Sequence, residues 1–141
     1  MKSLKRVLVS NRGEIAIRIA KAASAIGMES VGIYAPVDSL ALHHRHTTHA
    51  VEITGHDDPV SAYLDAKKII QIAKDNDCDS VHPGYGFLAE NANFAELCAA
   101  ESITFVGPTA STLGLFGNKV LSRQLAQSLD IPVVPGTSEA V

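Results

Sequence analysis

A few short stretches gather residue types that could hold a ligand. In "HPGYGFLAEN", His82, Pro83, Gly84, Tyr85 and Gly86 follow an apolar run and precede a helical pattern. Glycine admits positive φ and close approach by another group, and proline fixes φ and removes a donor, so this turn is either shaped for a ligand or a plain chain reversal. "SNRGEIA" invites a dinucleotide reading, but of the glycines that GxGxxG needs to approach a pyrophosphate only Gly13 is present. "GLFGNK" likewise lacks the spacing of a phosphate loop. "LHHRHTTHA" holds His43, His44, His46 and His49, and spacings of three on a helix would point nitrogens the same way for zinc or nickel. No acidic or cysteine ligand joins them locally, so surface histidines and no metal are expected. Cys78 and Cys98 have no CxxC spacing, and both are expected to stay reduced.

Positioning these turns requires alternating elements. "RVLVS" at 6–10 reads as a strand, and from Glu14 the apolar residues Ile15, Ile19, Ala23 and Ile26 recur at helical spacing. Asn11 is placed to accept from the free amides of this helix, Glu14 lies near a capping-box position, and Gly27 suits the stop. Strands are expected at 29–35, 49–53, 79–83 and 103–108, with helices over 61–76 and 87–101. Two short helices follow Pro108, and "IPVVPGTSEAV" begins as a short strand and ends as a linker. This alternation predicts an α/β fold: a single Rossmann-like open parallel sheet of about five strands with helices on both faces. Ligands bind such sheets at the carboxyl ends of the strands, where "SNRGEIA", "HPGYGFLAEN" and "GPTAS" all fall.

The totals bound the answer. A chain of 141 residues suits one domain, and 46% hydrophobic with 19% charged residues is a globular balance. A net charge of -3 gives no footprint for nucleic acid or anionic lipid. No stretch is long enough to span a bilayer and the amino-terminal residues do not read as a secretory leader, so a cytoplasmic location is expected.

Four strings carry a resemblance. "VLVSNRGEIAIRIAKAASAIG", "HPGYGFLAENANFAE", "FVGPTASTLGLFGNK" and "IPVVPG" occur in the same order as in the biotin carboxylase component of biotin-dependent carboxylases, from about Lys5 to Gly136. The chain resembles the amino-terminal, pre-ATP-grasp domain, with residues 1–135 as that domain and 136–141 as the start of a linker toward an ATP-grasp domain. The resemblance implies an ATP-dependent ligase that activates bicarbonate with ATP and Mg and carboxylates the ureido nitrogen of carrier-bound biotin. It also implies that the ATP lid, the acidic metal ligands and the basic residues that bind bicarbonate and biotin lie downstream. The piece is then expected to be inactive alone and to bind no cofactor tightly. Its expected partners are the remainder of the biotin carboxylase, the biotin carrier and the carboxyltransferase. The acyl acceptor of the parent carboxylase is left open. The alternative is a free-standing, non-enzymatic α/β binding or regulatory module.

Residue by residue, the resemblance gives Lys119 as a contact for ATP phosphate, beside Asn118 where the family usually has Asp. It gives His82, Pro83, Gly84, Tyr85 and Gly86 as a loop bordering the cleft, with Tyr85 on the biotin side. Glu90 and Asn91 are expected to cap the next helix and hold this loop. Asn11, Arg12, Gly13 and Glu14 are expected to fix their turn and to contact the rest of the enzyme. Arg18 and Lys21 fall where the family builds its homodimer contact, although a solvated charged face explains them equally well.

Overall fold

The structure, a computed structural model, describes residues 3–135. The linker expected at 136–141 lies outside the described residues. Five strands form one parallel sheet in the order β3-β2-β1-β4-β5: β1 (Arg6–Val9), β2 (Glu29–Tyr34), β3 (His49–Glu52), β4 (Ser80–His82) and β5 (Thr104–Phe105). The helices are α1 (Gly13–Ala25), α2 (Pro59–Leu64), α3 (Ala66–Asp75), α4 (Ala92–Ala100), α5 (Ala110–Gly117) and α6 (Lys119–Ser128).

β1 is central and its apolar residues are buried on both faces, as a sheet covered on both sides requires. On one face Leu8, Val31, Ile33 and Val81 pack under Tyr63 of α2, Ile69 and Ala73 of α3, and Phe94 and Cys98 of α4. On the other, Val9 meets Ala16 and Ile19 of α1. Each large side chain taken fully out of water here contributes about 1.5–3 kcal/mol. Burial also pushes the Cys78 thiol up to about 12 and the Cys98 thiol to about 11, which keeps both as unreactive thiols.

Several boundaries differ from the expected ones, for identifiable reasons. The single helix expected over 61–76 is two, because the Asp65 carboxylate accepts from the Lys68 amide at 2.9 Å and starts a new helix. The helix expected from 87 begins only at Ala92, capped by the Asn91 side chain, which accepts from the Phe94 amide at 2.9 Å. Residues 87–90 are instead turns that send Leu88 into the core. β5 is a two-residue strand at the sheet edge, and residues 131–134 form no strand.

Candidate functional site

β1 and β4 are neighbours at the point where strand order turns back on itself, since β2 and β3 lie to one side and β5 to the other. Such a switch point normally leaves a crevice between diverging loops. Here it is bridged. The Ser10 amide donates to the His82 carbonyl at 3.0 Å, carrying the strand pairing into the loops. Asn11, 2% exposed, then reaches across. Its Nδ2 donates to the Pro83 carbonyl at 2.6 Å and to the Tyr85 carbonyl at 2.9 Å, and its Oδ1 accepts from the Arg12 amide at 2.8 Å.

This overturns the expected capping role. The N-cap of α1 is Arg12, without a side-chain cap, and Glu14 pairs with Arg18 at 3.6 Å along the helix instead of closing a capping box. The carboxamide instead serves a loop more than seventy residues away, supplying donors to the buried Pro83 carbonyl and the partly buried Tyr85 carbonyl.

The loop divides into an inner and an outer half. His82 is partly buried, and its Nδ1 accepts from the Gly84 amide at 3.1 Å, which leaves the ring proton on Nε2. Burial holds the His82 pKa below the usual histidine value, and protonation would break this turn bond. Pro83 is buried. Gly84 has φ 68°, and a Cβ there would sit 2.9 Å from Asn11 Nδ2 and 3.0 Å from Ile15 Cγ1. The close approach that this glycine permits is therefore by the protein's own asparagine. Gly86 also has φ 68°, but a Cβ there would meet nothing within 4 Å. Tyr85 is 64% exposed. Tyr85 and Gly86 are thus the parts of the loop that face outward.

A second tie runs behind the loop. Arg12 pairs with Asp38 at 3.3 Å and lies 5.8 Å from the ring centre of Tyr63. The Tyr63 hydroxyl donates to Asp38 at 2.8 Å and accepts from the Ala35 amide at 3.1 Å, and burial above all raises its pKa. The Tyr63 ring packs on Phe87 at 5.3 Å between centroids. Asp38 and Tyr63 were not candidates from sequence, because neither stands in a recognisable motif and their link to Arg12 joins three segments far apart in the chain.

The remaining candidates stand apart. Lys119 is exposed at the first turn of α6, and its ammonium makes no hydrogen bond or ion pair among the described residues. Asn118 caps that helix, its Oδ1 accepting from the Val120 amide at 2.9 Å and the Leu121 amide at 3.1 Å. A carboxylate would cap equally well, so this departure from the family string removes only a negative charge beside Lys119. Glu90 is exposed and does not cap α4. Arg18 and Lys21 are exposed on α1, and Arg18 reaches, with His82, a groove of about 500 Å³ lined by Ile15, Ile19, Ile26 and Val106.

The histidines do not converge. Among the described residues no three His, Cys, Asp or Glu side chains form a group able to hold a metal ion. The expectation of surface histidines fails at His43, which is 1% exposed with Nε2 3.2 Å from the Ile33 carbonyl. His44 stacks on Tyr34 at 4.4 Å. The 3₁₀ turn covers only His43–His46 and His49 already belongs to β3, so the histidines do not share one helical face.

Comparison with known proteins agrees with this architecture. The family profile described as "Biotin carboxylase, N-terminal domain" matches residues 3–113. Pyruvate carboxylase from Bacillus subtilis (strain 168) is 45% identical over 135 residues, which is 96% of this chain and 12% of that protein. The biotin carboxylase domain of a single-chain bacterial carboxylase superposes with a TM-score of 0.93 at 49% identity, covering 96% of this chain and 31% of that one. The biotin carboxylase domain dimer of the Hydrogenobacter thermophilus 2-oxoglutarate carboxylase, solved with MgADP, ADP and bicarbonate, gives 0.93 at 39% identity and covers 98% and 30%. The chain therefore spans less than a third of the relatives it matches. With a parallel five-stranded sheet, the "HPGYG" loop at its switch point and these matches in register, the chain belongs to the biotin carboxylase amino-terminal domain family.

Proposed function

We propose that this chain forms one wall of the cleft in which a biotin carboxylase activates bicarbonate with ATP and Mg²⁺ and carboxylates carrier-bound biotin. In this reading Tyr85 and Gly86 border the biotin side, while His82, Pro83 and Gly84 hold them there. Lys119 contacts ATP phosphate, a task for which a compact, unpaired ammonium is suited. The observation that carries the reading is the outward-facing tip of the loop, with Tyr85 exposed and free space above Gly86.

The residues fit the required groups only in part. An unpartnered Lys119 suits a phosphate, whereas among the described residues no three His, Cys, Asp or Glu side chains come together as a metal-holding group. ATP, when bound, supplies the phosphoryl group that activates bicarbonate. The chain's own contribution is to bind and orient: a cation at the start of α6, an aromatic ring at the loop tip and a left-handed glycine whose backbone can be closely approached. Metal ligands and the opposite wall come from polypeptide beyond this domain. The isolated chain is accordingly inactive and binds ATP weakly, because one lysine and one loop cannot bury a nucleotide. A cytoplasmic location, a homodimer through the Arg18 and Lys21 face, and the carrier and carboxyltransferase as partners belong to the same proposal.

The test is reconstitution. Mixing the chain with the missing carboxyl-terminal portion of a biotin carboxylase should restore bicarbonate-dependent ATP hydrolysis. Lys119→Ala should raise KM for ATP, and Tyr85→Ala should lower biotin-dependent turnover with KM for ATP unchanged. A well-folded pair without activity would overturn the proposal.

A further inference from the structure

The three bonds of Asn11 use both N–H donors of its carboxamide and one of the two lone pairs of its oxygen. Few side chains could stand in. Aspartate has the same size and no N–H to give, alanine leaves a hole, and glutamine is one methylene too long for a pocket that already contacts Gly84. The two accepting carbonyls, Pro83 and Tyr85, flank Gly84, so the carboxamide fixes the backbone on either side of the first left-handed glycine. Gly84 lies against it, with no room for a Cβ. The nitrogen of His82 holds the Gly84 amide from the other direction.

Glycines alone do not specify a loop, because a residue that adopts many conformations selects none. Something must choose among them. We propose that Asn11 is the positioning residue of the His82–Gly86 loop, its two amide N–H groups setting the conformation that turns Tyr85 and Gly86 outward. Arg12 supports it from the neighbouring position, held by Asp38 and Tyr63, whose ring backs Phe87 at the far end of the same loop. That this conformation serves biotin rests on the function proposed above. The geometry of the loop itself does not.

The test separates donation from space filling. Asn11→Asp keeps the volume and loses the donors, and Asn11→Ala loses both. Amide NMR of the full chain, at a mildly alkaline pH where the new carboxyl is ionised, should show the wild-type resonances of Gly84 and Gly86 lost or displaced in both variants, with those of β2 and β3 retained. Loop resonances unmoved in Asn11→Asp and displaced only in Asn11→Ala would mean that the side chain merely fills space, and the proposal would fall. Should Asn11→Asp not fold, Gly84→Ala decides from the opposite side. It should displace the Asn11 side-chain amide resonances, and unchanged resonances there would equally overturn the proposal. The same variants placed in the reconstituted enzyme keep the two claims distinguishable. Displaced loop resonances with normal biotin carboxylation would retain the positioning role and refute the biotin-side reading, whereas unmoved resonances refute the positioning role whatever the activity.

Discussion

Two glycines two positions apart share one backbone conformation and have opposite reasons for being glycine. A Cβ at Gly84 would strike Asn11 and Ile15, whereas one at Gly86 would enter open space. Left-handed backbone costs a non-glycine residue about 1–2 kcal/mol, and forced overpacking adds about 1–3 kcal/mol. Gly84→Ala should therefore lower Tm by roughly 10 °C and Gly86→Ala by roughly 4 °C, as read by thermal denaturation. The sequence announces both glycines but not their difference, because Asn11 arrives from more than seventy residues away. The burial of His43 is hidden for a related reason: it heads the polar run His44, Arg45 and His46, while in space its Nε2 lies against the Ile33 carbonyl of β2. Burial, the largest influence on it, lowers its pKa, opposed by the Ile33 carbonyl and Asp38 and assisted by His44 and Arg12. Its neutral form is thus favoured by folding, so stability is complete above the unfolded value of about 6.5 and declines as pH falls below it. His82, lowered by burial, contributes in the same direction. His43→Gln, which keeps an N–H for the Ile33 carbonyl, should reduce the loss of urea midpoint between about pH 7 and pH 5 without abolishing it.

Periodicity located the elements; side-chain caps decided where they begin. Strands β1 to β4, α1 and the order of alternation were legible because apolar residues recur at two distinct periods. The break within 61–76 and the late start of α4 are both set by one carboxylate or carboxamide closing on an amide three residues ahead, Asp65 on Lys68 and Asn91 on Phe94. Asp65 also meets His56 at 3.1 Å, and hydrogen bonding from the Lys68 amide is the first cause holding its carboxyl below the usual range. Replacing either cap by alanine should cost about 1 kcal/mol in chemical denaturation. The consequences should differ in place. Asn91→Ala loosens the segment from Leu88 into α4, and hydrogen exchange should rise at the Phe94 amide. Asp65→Ala should fuse α2 and α3 toward the single helix that the apolar spacing alone predicts, with a gain in helical circular dichroism.

The whole molecule is unevenly finished. Its sheet is packed on both faces at β1, yet Phe116, Leu129, Ile131 and Val134 are large apolar side chains left exposed along α5, α6 and the segment after them. Exposed apolar side chains within one stretch of chain favour association with another surface. Leu129→Gln with Ile131→Gln should therefore reduce concentration-dependent light scattering of the isolated chain and shift its stability by no more than about 0.5 kcal/mol, the usual range for surface positions. The fold class and the family were readable from sequence because strings in register persist over nearly the whole chain. The uncovered flank was not, since the stripe of Leu121, Leu125 and Leu129 looks the same whether its partner belongs to this domain or to another. α6 contributes no fully buried side chain and packs on α5, while the loop bearing Tyr85 is bolted to β1. The cation proposed for phosphate thus rides on a helix that fully buries no side chain, and the aromatic tip on a turn held by two hydrogen bonds from Asn11. A ligand touching both would have to freeze the first against the second, and part of its affinity would be spent on that loss of motional freedom.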